Sequence, residues 1–202
     1  MLFRSEDVFK EERNYSYFLQ KYDQFVSPIA DPYAYCLMKN HFHLLIKTKS
    51  EEEIRKSSLG AKTSLKSEAK PYLMSKAEEK PIPWLISNAF ASLFKSYAQA
   101  INKAHQRTGG LFEEPFQRIA VNSDAYFSWL VYYIHFNPQK HGFIDDYRMF
   151  PHSSYSSLLV EKPTKLKRDE VLEWFGGTNE FDAFHRLQSD FHEIKSLIWE
   201  EL

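Results

Sequence analysis

The 202-residue chain has one cysteine, no apolar run long enough to cross a membrane and no excess of positive charge. Its lone thiol, Cys36, sits in an apolar stretch, which excludes an internal disulfide and suits a reducing cytoplasm. A membrane helix needs roughly 18 or more consecutive apolar residues. The start, Met1-Leu2-Phe3-Arg4-Ser5-Glu6-Asp7, also lacks the apolar core of a secretory signal. A soluble, cytoplasmic protein with no membrane partner is the expectation. The net charge of −1 does not advertise nucleic-acid binding, but it conceals an asymmetry. From Asp169 onward nine acids face only Arg186 and Lys195, leaving 24 bases and 18 acids in the preceding residues. An acidic tail thus masks a mildly basic body, which permits a phosphate-binding surface without requiring one. No internal repeat is present.

What the chain does have is apolar mass: 43% apolar residues, 16% aromatic, enough for one substantial packed domain with elaborations. The most informative stretch runs from Tyr33 to Thr48. Two apolar and aromatic runs flank the polar break Lys39-Asn40, the pattern of a β-hairpin. Side chains alternate along a strand, so His41 and His43 share one face while Phe42 takes the other. Two imidazoles so placed can hold one metal ion. They also suit a half-exposed polar face, and no carboxylate or cysteine cluster stands beside them.

Elsewhere, Phe9, Tyr15, Phe18, Leu19, Tyr22 and Phe25 recur at helical spacing and predict an amphipathic helix over about 6–26, packed on the hairpin and ended by Ser27-Pro28. Residues 50–80 are rich in Lys, Glu and Ser and read as a loosely helical insertion. A second long helix is expected from Trp84 to Gln106, burying Leu85, Phe90, Leu93, Phe94, Tyr97, Ala98 and Ile101, with Gly109-Gly110 as its stop. Phe116–Val121 reads as a strand, followed by a third helix over about Ala125–Phe136 that Asn137-Pro138 should end. Two further helices, about Arg168–Phe175 and Phe181–Glu200, are separated by Gly176-Gly177.

Several words of this sequence occur together in a recognisable order. Met38-Lys39-Asn40-His41-Phe42-His43-Leu44-Leu45 is followed by Ser96-Tyr97, Asn102-Lys103, Gly110-Leu111-Phe112 and Phe116-Gln117-Arg118. Then come Tyr133-Ile134-His135-Phe136-Asn137-Pro138-Gln139-Lys140-His141-Gly142 and Ser153-Ser154-Tyr155. Over roughly Ala34 to Leu159 the chain resembles the HUH single-tyrosine transposases, particularly the REP-associated tyrosine transposases of bacteria. The resemblance implies an α+β, ferredoxin-like sandwich, an antiparallel sheet with helices on one face. Residues 1–160 would form this domain, with 50–83 as an insertion, and 161–202 a helical, acidic C-terminal extension.

The resemblance also implies a chemistry. His41, His43 and Asn137 would bind a divalent ion, magnesium or manganese, although two imidazoles suit zinc or manganese at least as well by softness. Tyr133 would be the nucleophile, leaving a 5′-phosphotyrosine link and a free 3′-hydroxyl on single-stranded, hairpin-bearing DNA. Arg118, Lys103 and Lys140 are candidate phosphate contacts, and equally suit solvated surface. Trp129, Tyr126 and Phe112 are candidates for stacking on unpaired bases, with core packing as the alternative. Helical phase places Tyr133 and Asn137 on one flank of the third helix and Tyr132 on the other, with Ser128 and His135. Relatives of this kind usually carry a strand ahead of the first helix. Here Met1 falls almost at that helix, so the expectation is that either the true start lies upstream, or another segment or a second chain, as in a homodimer, takes up the backbone groups such a strand would pair. Two other readings stay open: a domesticated or inactive DNA-binding relative without cleavage, and a metal-dependent hydrolase without a covalent intermediate.

Overall fold

A computed structural model describes residues 6–60, 80–112 and 117–187, and the side chains of all of these except 58–60. The elements in chain order are α1 (Glu12–Phe25), β1 (Ala30–Met38), β2 (His41–Thr48), α2 (Glu51–Gly60), α3 (Ile82–Ala104), α4 (Asp124–Lys140), a 3-10 turn (Tyr147–Met149), α5 (Tyr155–Leu159), α6 (Arg168–Phe175) and α7 (Thr178–Arg186). Among the described residues this is an α+β chain whose one sheet is the β1–β2 hairpin. The turn falls at Lys39-Asn40, as the break between the two apolar runs predicts, and a connection this short makes the strands antiparallel. No described helix is long and apolar enough to cross a membrane.

The chain forms two compact units that interleave in sequence: Met1–Asp31 with Lys47–Phe116, and Pro32–Ile46 with Gln117–Leu202. The helices α6 and α7 therefore share a unit with most of the hairpin.

In the first unit α1 packs on α3. The start of α1 is set by a capping box: the Glu11 side chain accepts from the backbone of Asn14, and Asn14 Oδ1 accepts from the Glu11 N–H at 2.9 Å. That reciprocal pair explains why the helix begins at Glu12 and not at Glu6. Phe9, Phe18 and Phe112 surround the ring of Tyr97 at 5.8, 5.2 and 5.9 Å, and the Tyr97 hydroxyl donates to the Val8 carbonyl at 3.0 Å. Tyr97→Ala is expected to cost about 3–5 kcal/mol for the cavity. Tyr97→Phe is expected to cost about 1 kcal/mol, because it strands only the Val8 carbonyl. Urea unfolding of both variants checks the ratio. Within the stretch read as an insertion, α2 starts on a second capping box in which Ser50 and Glu53 exchange bonds. Residues 61–79 and the expected continuation of the last helix beyond 187 lie outside the described residues.

In the second unit the hairpin, α4 and the C-terminal helices enclose one aromatic core. It includes Tyr33, Cys36, Met38, Leu45, Val131, Tyr132, Ile134, Tyr147, Tyr155, Val171 and Phe181. The Cys36 thiol is fully buried there, and burial pushes its pKa far up, so it is no nucleophile. The outer edge of β1 is occupied from within the chain. Leu37 N–H donates to His152 O at 2.9 Å, Ser154 N–H to Tyr35 O at 2.9 Å, and Lys167 N–H to Pro32 O at 2.9 Å, with Ser153 opposite Cys36 in an antiparallel bridge. A later segment thus takes up backbone groups that a neighbouring strand would otherwise pair.

Two sequence expectations are corrected here. Asn137-Pro138 does not end the third helix, because α4 continues to Lys140 with Pro138 inside it. Proline withholds its N–H from the Ile134 carbonyl, but the chain around it closes: His141 N–H donates to Asn137 O at 2.9 Å and Phe143 N–H to Pro138 O at 2.8 Å. The expected strand at Phe116–Val121 is also missing among its described residues, 117–121, which are exposed and irregular. Apolar, β-branched residues form a strand only where a neighbour accepts the ladder, and Ile119 and Val121 stay 38% and 37% exposed.

Candidate functional site

Strand alternation brings His41 and His43 together as expected: their rings lie 5.3 Å apart, edge to face. Both are half-buried. Burial is the main cause that lowers the pKa of His41 to about 4 and that of His43 to about 3, with His141 adding to it at His41, and His41, His141 and Lys140 at His43. At neutral pH both imidazoles therefore carry an unprotonated nitrogen, the state a metal ligand requires. Asn40 Oδ1 lies 2.8 Å from His41 Nδ1. An amide oxygen only accepts, so Nδ1 bears the hydrogen and Nε2 keeps the lone pair.

Helix α4 brings Tyr133 to the same place. Its ring lies 5.9 Å from that of His43, and Lys140, two turns further along, sets its Nζ 3.2 Å from the Tyr133 hydroxyl and 4.8 Å from the ring centre. Tyr132 turns away into the core, against Phe136 at 5.5 Å, His185 at 5.7 Å and Tyr147 at 6.1 Å. Ser123 caps this helix by accepting from the Tyr126 N–H.

Asn137 is fully buried one turn after Tyr133, and its Nδ2 donates to the Tyr133 carbonyl at 2.7 Å. Since a carbonyl only accepts, the group facing it must be the amide NH₂, which leaves Oδ1 on the other side. That oxygen has no hydrogen-bond partner among the described residues. An unsatisfied buried acceptor costs about 1–3 kcal/mol, and a cation or donor arriving beside it would recover that energy.

The donor types of His41, His43 and Asn137, two imidazoles and one amide oxygen, fit a divalent first-row ion. Among the described residues no group of three or more His, Cys, Asp or Glu is arranged to hold a metal; an amide oxygen is outside that set.

Of the remaining sequence candidates, Lys103 stands on α3 in the first unit, and Arg118 is exposed in the irregular segment before α4. Of the base-stacking candidates, Tyr126 is buried, while Trp129 and Phe112 are half-buried and pack on Phe184 at 5.3 Å and on Phe94 at 5.0 Å. Comparison of the chain with protein-family models, curated proteins and solved structures finds no match.

Sequence reasoning passed over His141, whose ring lies 5.2 Å from that of His41, edge to face. It follows Lys140 in the tyrosine-helix word, and its place at the helix C-cap was the available signal. Sequence reasoning also passed over a buried chain of hydrogen bonds behind the site. His135 Nδ1 meets His185 Nε2 at 3.0 Å, His135 Nε2 meets Ser154 Oγ at 2.7 Å, and His185 Nδ1 meets the Phe181 carbonyl at 2.8 Å. This network ties α4 to α7, and nothing in the spacing of residues 135, 154 and 185 announces it.

Proposed function

We propose that the chain is a metal-dependent, single-stranded DNA transposase or endonuclease that cuts and rejoins DNA through a 5′-phosphotyrosine intermediate at hairpin-bearing sites. The observation that carries this reading is the meeting of Tyr133 with His43 and Lys140, one helical turn before the unsatisfied oxygen of Asn137. The sequence resemblance to HUH single-tyrosine transposases supports it, and with it the ferredoxin-like sandwich as the finer description of the fold. His41, His43 and Asn137 would hold the ion, and when bound a divalent ion polarises the scissile phosphate.

The chain's own residues do the rest. Tyr133 Oη attacks the phosphorus, the bond from phosphorus to the 3′ oxygen breaks, the phenol proton leaves and the 3′ oxygen gains one. In rejoining, a 3′-hydroxyl attacks the same phosphorus and Tyr133 departs. A phenol, with an ordinary pKa of about 10, leaves far more readily than an alkoxide, which suits a break that must be resealed. Neutral imidazoles at His41 and His43 leave the ion's charge unopposed by their own. A homodimer in which the tyrosine serves the partner's histidines is compatible with this chemistry.

One observation favours a DNA-binding relative that no longer cuts: Tyr133 is only 9% exposed, so substrate must reach a hydroxyl at the edge of the core. The test is incubation of the protein with an end-labelled single-stranded hairpin DNA and Mn²⁺, read on a denaturing gel beside calorimetric titration of Mn²⁺. Wild type is expected to bind the ion and form a covalent adduct, and the double variant His41→Ala/His43→Ala to do neither. DNA binding without adduct at any metal concentration would favour the non-cutting relative. Equal ion binding by both proteins would remove the histidines from the site.

A further inference from the structure

The sequence suggests Lys140 as a phosphate contact, and the structure sets its ammonium against the hydroxyl of Tyr133. Residues 133 and 140 are two turns apart on one face of α4, and Lys140 Nζ stands 3.2 Å from Tyr133 Oη while lying over the edge of the same ring, 4.8 Å from its centre. An ammonium group has donors only. The Tyr133 oxygen is therefore the acceptor in this bond, one of its lone pairs is fixed, and its own hydrogen is directed elsewhere. His43, edge to face on the ring at 5.9 Å, limits rotation from another side. The half-buried setting of Lys140 reduces solvent screening of its charge.

We propose that Lys140 is a catalytic residue of Tyr133, orienting its hydroxyl for attack and stabilising the negative charge on Oη whenever the bond between that oxygen and phosphorus is forming or breaking. This rests on the phosphotyrosine reading above. The atom balance is that of the cleavage already described: Lys140 keeps its proton throughout and supplies a fixed positive charge beside the oxygen that changes charge. The effect applies in both directions, because cleavage and resealing pass through the same partly broken bond. A lysine that only contacted DNA phosphate would act on affinity and not on these rates.

The experiment compares wild type, Lys140→Met and Lys140→Arg, with Arg118→Met as a reference. Three quantities are read: affinity for a fluorescent single-stranded DNA, single-turnover rates of adduct formation and resealing at saturating DNA, and acetylation of Tyr133 by N-acetylimidazole followed by peptide mass spectrometry. Lys140→Met is expected to slow both single-turnover rates by about 100-fold, the scale for losing one preorganised charge-stabilising group. Its DNA affinity should stay within about threefold of wild type, and Lys140→Arg should recover much of the rate, since a guanidinium also donates to Oη. Acetylation at Tyr133 should fall in Lys140→Met while other tyrosines react as before. Weakened DNA binding with unchanged rates at saturation would overturn the proposal and return Lys140 to the phosphate backbone. Unchanged acetylation of Tyr133 would overturn it whether or not DNA is cut. A drop in acetylation with no adduct from wild type would uphold the action of Lys140 on the hydroxyl and count against the phosphotyrosine reading alone.

Discussion

Tyr133→Phe is expected to fold, to bind single-stranded DNA and to form no covalent adduct, whereas Tyr132→Phe should still form one. The two tyrosines are adjacent in sequence but opposed in space. Tyr133 presents its hydroxyl to Lys140 beside the His41–His43 pair, so removing one oxygen there takes away a single hydrogen bond and the proposed nucleophile together. Tyr132 stacks on Phe136 at an interplanar angle of 11° and meets Tyr147 and His185 edge-on. A phenyl ring preserves most of that packing, so Tyr132→Phe should lose at most about 1 kcal/mol of stability. Denaturing gels with a labelled hairpin substrate, alongside urea midpoints, separate chemistry from folding. An adduct formed by Tyr133→Phe but not by Tyr132→Phe would mean that the wrong face of α4 has been taken as the active one.

Acidification should destabilise the second unit through the buried histidine pair. Every hydrogen in that network has a place. The Phe181 carbonyl can only accept, so His185 bears its hydrogen on Nδ1 and accepts at Nε2. His135 must then donate from Nδ1 and accept at Nε2, and the Ser154 hydroxyl supplies that last hydrogen while its oxygen accepts from the Tyr35 N–H at 2.9 Å. Tyr147 closes the far side by donating to the His185 carbonyl, and Tyr155 holds Asp182, which also pairs with Arg186. A proton added to His185 Nε2 would set it against the His135 Nδ1–H, two donors face to face, whereas one added to His135 Nε2 would force the Ser154 hydroxyl to turn its hydrogen to the Tyr35 carbonyl, 3.2 Å away.

Burial is the first cause that lowers the pKa of His185 to about 4, partly opposed by the Phe181 carbonyl and Asp182. It also holds His135 well below the ordinary histidine value. The sign follows from proton counting. Unfolded histidines titrate near 6.5, so between about pH 6.5 and about 4 the unfolded chain holds the extra proton and the folded chain does not. Stability is whole above about pH 6.5 and falls as the pH drops toward about 4, by something on the order of 3 kcal/mol for His185 alone. Urea midpoints from pH 7.5 to 4.5 test this against His185→Gln, which should lose roughly one proton's worth of the slope. Parallel curves for the two proteins would place the acid sensitivity elsewhere.

Local pattern made much of this fold legible. The hairpin turn at Lys39-Asn40, the helix at Arg168–Phe175 and the same-face histidines all follow from alternation, helical period and glycine stops, which depend only on neighbours in sequence. What stayed hidden depends on distant partners. Residues 117–121 have strand composition but no ladder, and Pro138 fits a helix because side-chain and loop bonds close the turn around it. His135 and His185 meet across 50 positions of sequence. At the site, periodicity places Tyr133 on the flank of Asn137 and sets residue 140 on the same face, but the contact of the Lys140 ammonium with the hydroxyl, and of His141 with His41, depends on side-chain conformation that no period encodes.

In the proposed reaction Tyr133 becomes linked to the 5′ side of a cut DNA strand. Peptide mass spectrometry after incubation with Mn²⁺ and a single-stranded hairpin substrate, combined with end analysis of the released DNA, tests it most directly. The expected result is a nucleotide adduct on the tryptic peptide containing Tyr133, joined through a 5′-phosphate, with a free 3′-hydroxyl on the other fragment. Fragments bearing a free 5′-phosphate and no protein, or an adduct mapped to any other residue, would contradict it.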